Sequence, residues 1–303
     1  MNQLLKNLQS NRTRLLAIFV WASLVSQILI VVTGGLVRLT GSGLGCPTWP
    51  KCTDDSLVTI PEQGIHGIIE FANRLLTFAL LIVAVVTLVL VWKSRKVRTH
   101  KLLAPAILLV LGIPAQAILG GLTVLFNLNP WLVGGHFILS GIMISLAALL
   151  VWRFYLPIEG ASLPVRVASK FVYRLKLPIA LLGALSVVIG VLVTGAGPHS
   201  GDAESPRNGL DLELWQHIHS YPAYLLLTLC LMQLGYLYRV QKQRGTLELK
   251  LSLALVLALA VQAVIGVLQA RLGVPAPLVA LHMLGASVIC ALLTANFLAT
   301  RKA

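Results

Sequence analysis

The pentapeptide Gln116-Ala117-Ile118-Leu119-Gly120 and the histidine after it, His136, return 146 residues later as Gln262-Ala263-Val264-Ile265-Gly266 and His282. The same offset carries Glu70 onto Gln216 and Asn73 onto His219. A shift held over so long a stretch marks an internal duplication, with units far longer than those of a solenoid. The offset also separates matched histidines from stray ones. The second half has the pair His219 and His282, whereas the first has His136 but places Asn73, beside Glu70, where the other ligand would stand. One half reads as built to hold something from both sides, the other as leaving one side open.

Around these landmarks the chain is nearly all apolar. Of its 303 residues 57% are hydrophobic and 11% charged, outside the range of a soluble domain and inside that of a polytopic membrane protein. Eight runs approach the roughly 20 residues that span a bilayer. They lie at about 15–37, 66–92, 102–126, 131–152, 177–195, 214–238, 251–270 and 277–299. The first is too long for a signal-peptide core and should be retained. The net charge of +14 would suit nucleic acid, but its distribution does not. With the amino terminus in the cytoplasm, 19 of the 24 basic residues fall in inside segments, among them Arg153, Lys176 and Arg239. The basicity is topological, and no nucleic-acid partner is expected.

These readings predict an all-α integral membrane protein in a lipid bilayer, with eight transmembrane helices as two parallel four-helix repeats and both termini cytoplasmic. The amino-terminal half takes residues 15–155, a cytoplasmic linker 156–175, and the carboxy-terminal half 176–300. Helices 2, 4, 6 and 8 then enter from outside, and His66, Glu70, Asn73, His136, His219 and His282 all lie near their outer ends. Ionisable groups in membrane spans are costly and mark function by default. A lone histidine there could equally serve an interhelical hydrogen bond, but two at duplicated positions and matched depth point to ligation.

The ligand that suits them is haem. Zinc would want more donors at close range, while two opposed imidazoles suit the axial positions of a planar macrocycle within a helix bundle. His219 and His282 would fill both axial sites, giving electron transfer. His136, with only Asn73 opposite, would leave the other macrocycle a weak or open side, where chemistry can occur. His217 competes with His219, lying about 200° away around the helix, and the offset selects His219. Pro222 fits best if the regular helix starts near Ser220. For Glu70 two readings stand, an ion pair with Arg74 four residues on or a carboxylate handling protons at the reacting centre. Arg74 could instead contact haem propionates. His66 lies about 10 Å outward of Asn73. Cys46 and Cys52 sit in an outside loop where a disulfide can persist; Cys230 and Cys290 read as packed apolar groups. Residues 195–213, with His199, Asp202, Glu204, Asp211 and Glu213, read mostly as a solvated face, the alternative being a lid over the second-half haem.

The stretch Thr33-Gly34-Gly35-Leu36-Val37-Arg38-Leu39-Thr40-Gly41-Ser42-Gly43-Leu44-Gly45-Cys46-Pro47-Thr48-Trp49-Pro50-Lys51-Cys52 resembles the first outer loop of the haem A synthases. Glu70-Phe71-Ala72-Asn73-Arg74 resembles their second-helix motif, and the likeness runs over roughly residues 15–300. The resemblance implies a bacterial-type cell membrane with haem sites towards the outer face, and oxidation of the methyl on pyrrole ring D of haem O to a formyl group for cytochrome oxidase biogenesis. It implies haem B as cofactor on His219 and His282, and haem O as substrate near His136, Asn73, His66 and Glu70. It also implies a redox-sensitive Cys46–Cys52 disulfide, a haem O synthase as the substrate's source, and an electron donor that the sequence does not identify. The oligomeric state, a homo-oligomer included, stays open. Where many members carry histidine this chain has Asn73, and residues 195–213 lack the second cysteine pair that some members have. A di-haem electron carrier and a small-molecule transporter are the rival readings. Asn73 counts against the carrier, and the outer-end clustering of polar residues against the transporter.

Overall fold

The computed structural model of the chain describes residues 2–94, 101–155, 170–241 and 246–300. Among them eight helices are long and apolar enough to cross a membrane. They are α1 (Asn2–Leu39), α2 (Gly64–Trp92), α3 (Leu103–Leu125), α4 (Pro130–Phe154), α5 (Lys170–Ala196), α6 (Leu212–Gln241), α7 (Leu247–Arg271) and α8 (Ala276–Ala299). A short 3-10 turn, Pro61–Gln63, leads into α2. With large side chains such as Ile82, Trp92, Leu181 and Val264 turned outward, this is a multi-pass membrane protein.

The helices close into two rings. In one, α1 packs on α2, α2 on α3, α3 on α4 and α4 back on α1; in the other α5, α6, α7 and α8 do the same. The rings meet through α4 against α8, α1 against α8 and α4 against α5. Small residues permit the approach: Gly35 lies on Met283, Gly134 on Val191 and Gly141 near Cys290. The first ring holds the larger buried core, including Val20, Val91, Leu109, Met143 and Leu150.

The hairpins joining α3 to α4 and α7 to α8 are built alike. Asn127 and Leu128 have positive φ of 50° and 55°, and Gly273 and Val274, 146 residues on, have 76° and 61°. In each the second residue's amide reaches back five residues, Leu128 to the Thr123 carbonyl at 2.7 Å and Val274 to that of Gln269 at 2.8 Å. A left-handed leucine or valine is costly. The capping bonds and, for Leu128, burial against Gly43 and Gly201 offset that cost.

The starts of α6 and α5 differ from the sequence expectation, and α1 begins at Asn2, well before the apolar run. α6 begins at Leu212, with Pro222 inside it, rather than near Ser220. Asp211 decides this: its carboxylate accepts from the Leu214 amide at 2.7 Å and its carbonyl from Trp215 at 3.1 Å, a side-chain N-cap that starts the helix ten residues before the proline. α5 begins at Lys170, inside the expected linker, because Val172 is buried with Leu237, against Tyr236 and Leu249. The rest of that linker, 156–169, lies outside the described residues.

Asp211→Ala should remove the α6 cap and lower stability by about 1 kcal/mol. Thermal unfolding of the detergent-purified protein should show the loss, and an unchanged midpoint would mean that Asp211 does not set the helix start.

Candidate functional site

In the second ring the rings of His219 and His282 face each other with centroids 6.4 Å apart and planes at 68°. Two imidazoles trans on one metal, with metal–nitrogen bonds near 2 Å, put their centroids roughly 6 Å apart. Each ring lies on a glycine of the neighbouring helix. A Cβ on Gly190 would stand 3.0 Å from His219 Cε1, and one on Gly266 3.1 Å from His282 Cε1. Nδ1 of both rings is buried with no partner at hydrogen-bond geometry. Gln262 Nε2 donates to the His282 carbonyl at 2.9 Å and, filling the space beside Gly285, braces α8 against α7. The donor set and the clearance suit a bis-imidazole haem. His217, two residues before His219, is exposed, and Ser220 Oγ donates to its carbonyl at 2.7 Å.

The first ring repeats the frame with one ligand changed. His136 lies on Gly120, a Cβ there standing 3.2 Å from its Cε1, and its Nδ1 is also a buried orphan. Gln116 Nε2 reaches the His136 carbonyl at 3.3 Å and Ser140 Oγ at 2.8 Å. Asn73 stands opposite Gly34, 3.8 Å from a Cβ placed there, with Oδ1 buried and unpartnered. Gly34 and Gly190 went unnoticed in the sequence because they are 156 residues apart rather than 146. From Gly34 to Asn73 is 39 residues and from Gly190 to His219 is 29, so the loop between α1 and α2 is ten residues longer and shifts the register of α1.

Those extra residues belong to the cysteine loop, and the site's strongest polar contacts hold it. Cys46 and Cys52 are joined by a disulfide. Glu70, 6% exposed, accepts the Cys46 amide on Oε2 at 2.6 Å and Arg74 on Oε1, from Nη2 at 2.5 Å and Nε at 3.2 Å. Arg74 also donates to the carbonyls of Cys46 at 2.9 Å, Thr48 at 3.0 Å and Lys51 at 3.0 Å. The pair binds the loop to α2, and Arg74 is turned to the loop in this structure. Trp49 lies on Gly121, one residue from the glycine under His136, so the loop spans from α2 to α3. His66 is exposed and paired with Ser42 Oγ at 2.8 Å, away from Asn73.

The segment between α5 and α6 does more than present charge. Glu204, Asp211 and Glu213 are exposed, but the backbone stitches the outer loops together. The Gly43 amide donates to the Gly201 carbonyl at 2.8 Å, Asn208 Nδ2 to that of Leu192 at 2.8 Å, and His199 Nε2 lies 2.8 Å from that of Val274. Among the described residues no cluster of three or more His, Cys, Asp or Glu could hold a metal ion on its own.

Residues 17–294 match the family COX15-CtaA, cytochrome oxidase assembly protein. The chain belongs to that family. A heme A synthase of Listeria welshimeri serovar 6b is 27% identical over 288 residues, covering 90% of this chain and 92% of its own. One of Bacillus pumilus SAFR-032 is 31% identical over 173 residues, covering 56% and 54%. One of Halalkalibacterium halodurans is 34% identical over 141 residues, covering 45% of each. The chain thus spans about half the length of the last two relatives.

Mass spectrometry of unreduced protein should find the Cys46 and Cys52 peptides linked, with Cys230 and Cys290 as free thiols. Glu70→Gln weakens the charged acceptor shared by the Cys46 amide and Arg74, so the bridge should reduce several-fold faster in dithiothreitol. Equal reduction rates in the variant and the wild type would show that the pair does not hold the loop.

Proposed function

We propose that this chain oxidises the ring D methyl of haem O to a formyl group, by successive hydroxylation and loss of water, making haem A for cytochrome oxidase. The observation that carries the reading is the pair His219 and His282, facing at 6.4 Å inside one ring of a COX15-CtaA family member. The names of the matched relatives, heme A synthases, support the same assignment.

His219 and His282 would hold haem B, which when bound would supply one-electron transfer. His136 would bind the substrate on one side, Gly120 leaving room for its ring. Asn73, a weak iron ligand, would leave the other side open. Glu70 lies one turn from Asn73 and is buried, where a carboxylate's field on charge developing at the oxidised carbon is strong. Its bonds to Arg74 and the Cys46 amide fix the carboxylate, so on this reading Arg74 positions Glu70 and the disulfide loop together. Trp49 and the bridged loop limit water at the outer mouth. Haem O would come from a haem O synthase, and each hydroxylation would take one oxygen atom from an external oxidant of the dioxygen type, its second atom leaving as water with two protons and two electrons from a separate donor. The two rings are read as duplicated halves, with both termini cytoplasmic and both sites towards the outer face. The basic residues and the shared hairpin geometry support that orientation and duplication.

Pigment extraction tests the reading: the purified protein, expressed with haem O available, should yield haem A or hydroxylated intermediates, and haem B alone would reject the synthase in favour of an electron carrier. His219→Ala and His282→Ala should each abolish a low-spin bis-histidine spectrum, while His217→Ala leaves it intact. Glu70→Gln should keep its haem and lose conversion by about a hundredfold or more; conversion at the wild-type rate would reduce Glu70 to Arg74's partner.

A further inference from the structure

Arg38, in the last turn of α1, crosses the seam between the two rings. Its Nη2 donates to the Thr194 carbonyl of α5 at 2.7 Å, while Nε is buried with no partner. Among the described residues that is one hydrogen bond for a group with five N–H donors, and the Glu70–Arg74 ion pair does not involve it. The positive charge of Arg207, from the loop between α5 and α6, acts on Arg38. Arg207 itself donates to the carbonyls of Pro198 at 2.7 Å and Ser205 at 2.9 Å. Two guanidinium groups, near enough for one charge to act on the other, are thus held by neutral carbonyls, with no carboxylate within ion-pair distance of either among the described residues. Such an arrangement is unfavourable unless an anion completes it.

Its position says which anion. Thr194 lies one turn beyond Gly190 on the same face of α5, and its hydroxyl donates back to the Gly190 carbonyl at 2.8 Å. Gly190 carries the His219 ring. The Arg38 guanidinium therefore sits about 6 Å outward of that ring along the helix axis, over the mouth of the second-half site. Gly201, from the same loop as Arg207, covers the Arg38 stem, a Cβ there standing 3.6 Å from its Cγ. A planar guanidinium fork is matched to carboxylate, and a haem of the B type carries two carboxylates on one edge.

We propose that Arg38 and Arg207 form a carboxylate-binding site that takes a propionate of the macrocycle held by His219 and His282. A residue of the first half thereby completes the site of the second. The proposal rests on the haem reading above and adds to it the group that fixes the macrocycle's rotation about its iron axis. It also gives the α1–α5 seam a ligand-dependent role, since the anion neutralises charges supplied from both rings.

The test uses the full-length chain in neutral-lipid nanodiscs, purified from haem-limited cells and titrated with haemin and with haemin dimethyl ester while the Soret band is followed. Wild type should bind haemin roughly tenfold or more tightly than the ester, the scale of one charge-assisted hydrogen bond. Arg38→Gln and Arg207→Gln should bind the two probes equally, with ester affinity unchanged from wild type, and Arg38→Lys should keep part of the preference. Should Arg38→Gln fail to fold, Arg207→Gln, on an exposed loop position, carries the same comparison. Equal binding of both probes by wild type, or a preference undiminished in the glutamine variants, overturns the carboxylate site while leaving the haem reading in place. A wild type that shifts the Soret band of neither probe overturns both.

Discussion

Lipid offers no hydrogen bonds, so each polar group between these helices must find its partner within the protein or in something the protein binds. The molecule is organised by that constraint. The side-chain nitrogens of Gln116 and Gln262 meet it by bracing the carbonyls of His136 and His282 on the next helix, while their side-chain oxygens have no partner. Glu70 meets it with Arg74 and a loop amide. Deeper in, Ser23 pairs with Thr87, and Gln233 with Asn296. Nδ1 of His136, His219 and His282 does not meet it, and neither do Asn73 Oδ1 and Arg38 Nε. These unmet groups gather towards one end of the bundle, which makes them a better guide to function than any cavity shape.

Glycine is the second half of the design. An imidazole carried on one helix can turn towards the ring's interior only where the facing helix has no side chain. Gly120, Gly190 and Gly266 supply that space, each at 3.0 to 3.2 Å from a histidine ring atom by the Cβ measure. Because the glycine and the histidine lie on adjacent helices, each pair also fixes the axial register of its two helices. Placement of a ligand and packing of the bundle are thus one problem, and a larger residue at any of the three positions would disturb both.

The two rings share this frame and diverge where the first outer loop gains ten residues. The insertion brings the disulfide, the carbonyls that Arg74 gathers and the Trp49 ring over Gly121. It falls in the same ring that exchanges a histidine for Asn73. The unpaired Asn73 position and the braced, bridged loop therefore occur in the same ring. The ring with two histidines has the shorter loop and a partner residue, Arg38, reaching across from its neighbour.

The amino-acid sequence alone determined the number of spans, because a helix must be long and apolar to cross a bilayer, and that requirement is written in composition. It also exposed the offset of 146 residues, since Gln, Gly and His stand out on an apolar background. Asp211 could have shown where α6 begins, but Pro222 drew attention away from the cap signal. Other features belong to tertiary structure. The match of Gly34 with Gly190 is hidden by the loop insertion until α1 and α5 are seen in equivalent places. The i,i+4 spacing of Glu70 and Arg74 predicts their contact but not the three carbonyls and the amide they share with the loop, which depend on how residues 45–52 fold back. Arg38 meets Thr194, and Trp49 meets Gly121, only because the rings close and abut. Local pattern records what each segment must bury; which segment receives it is settled only when the helices pack.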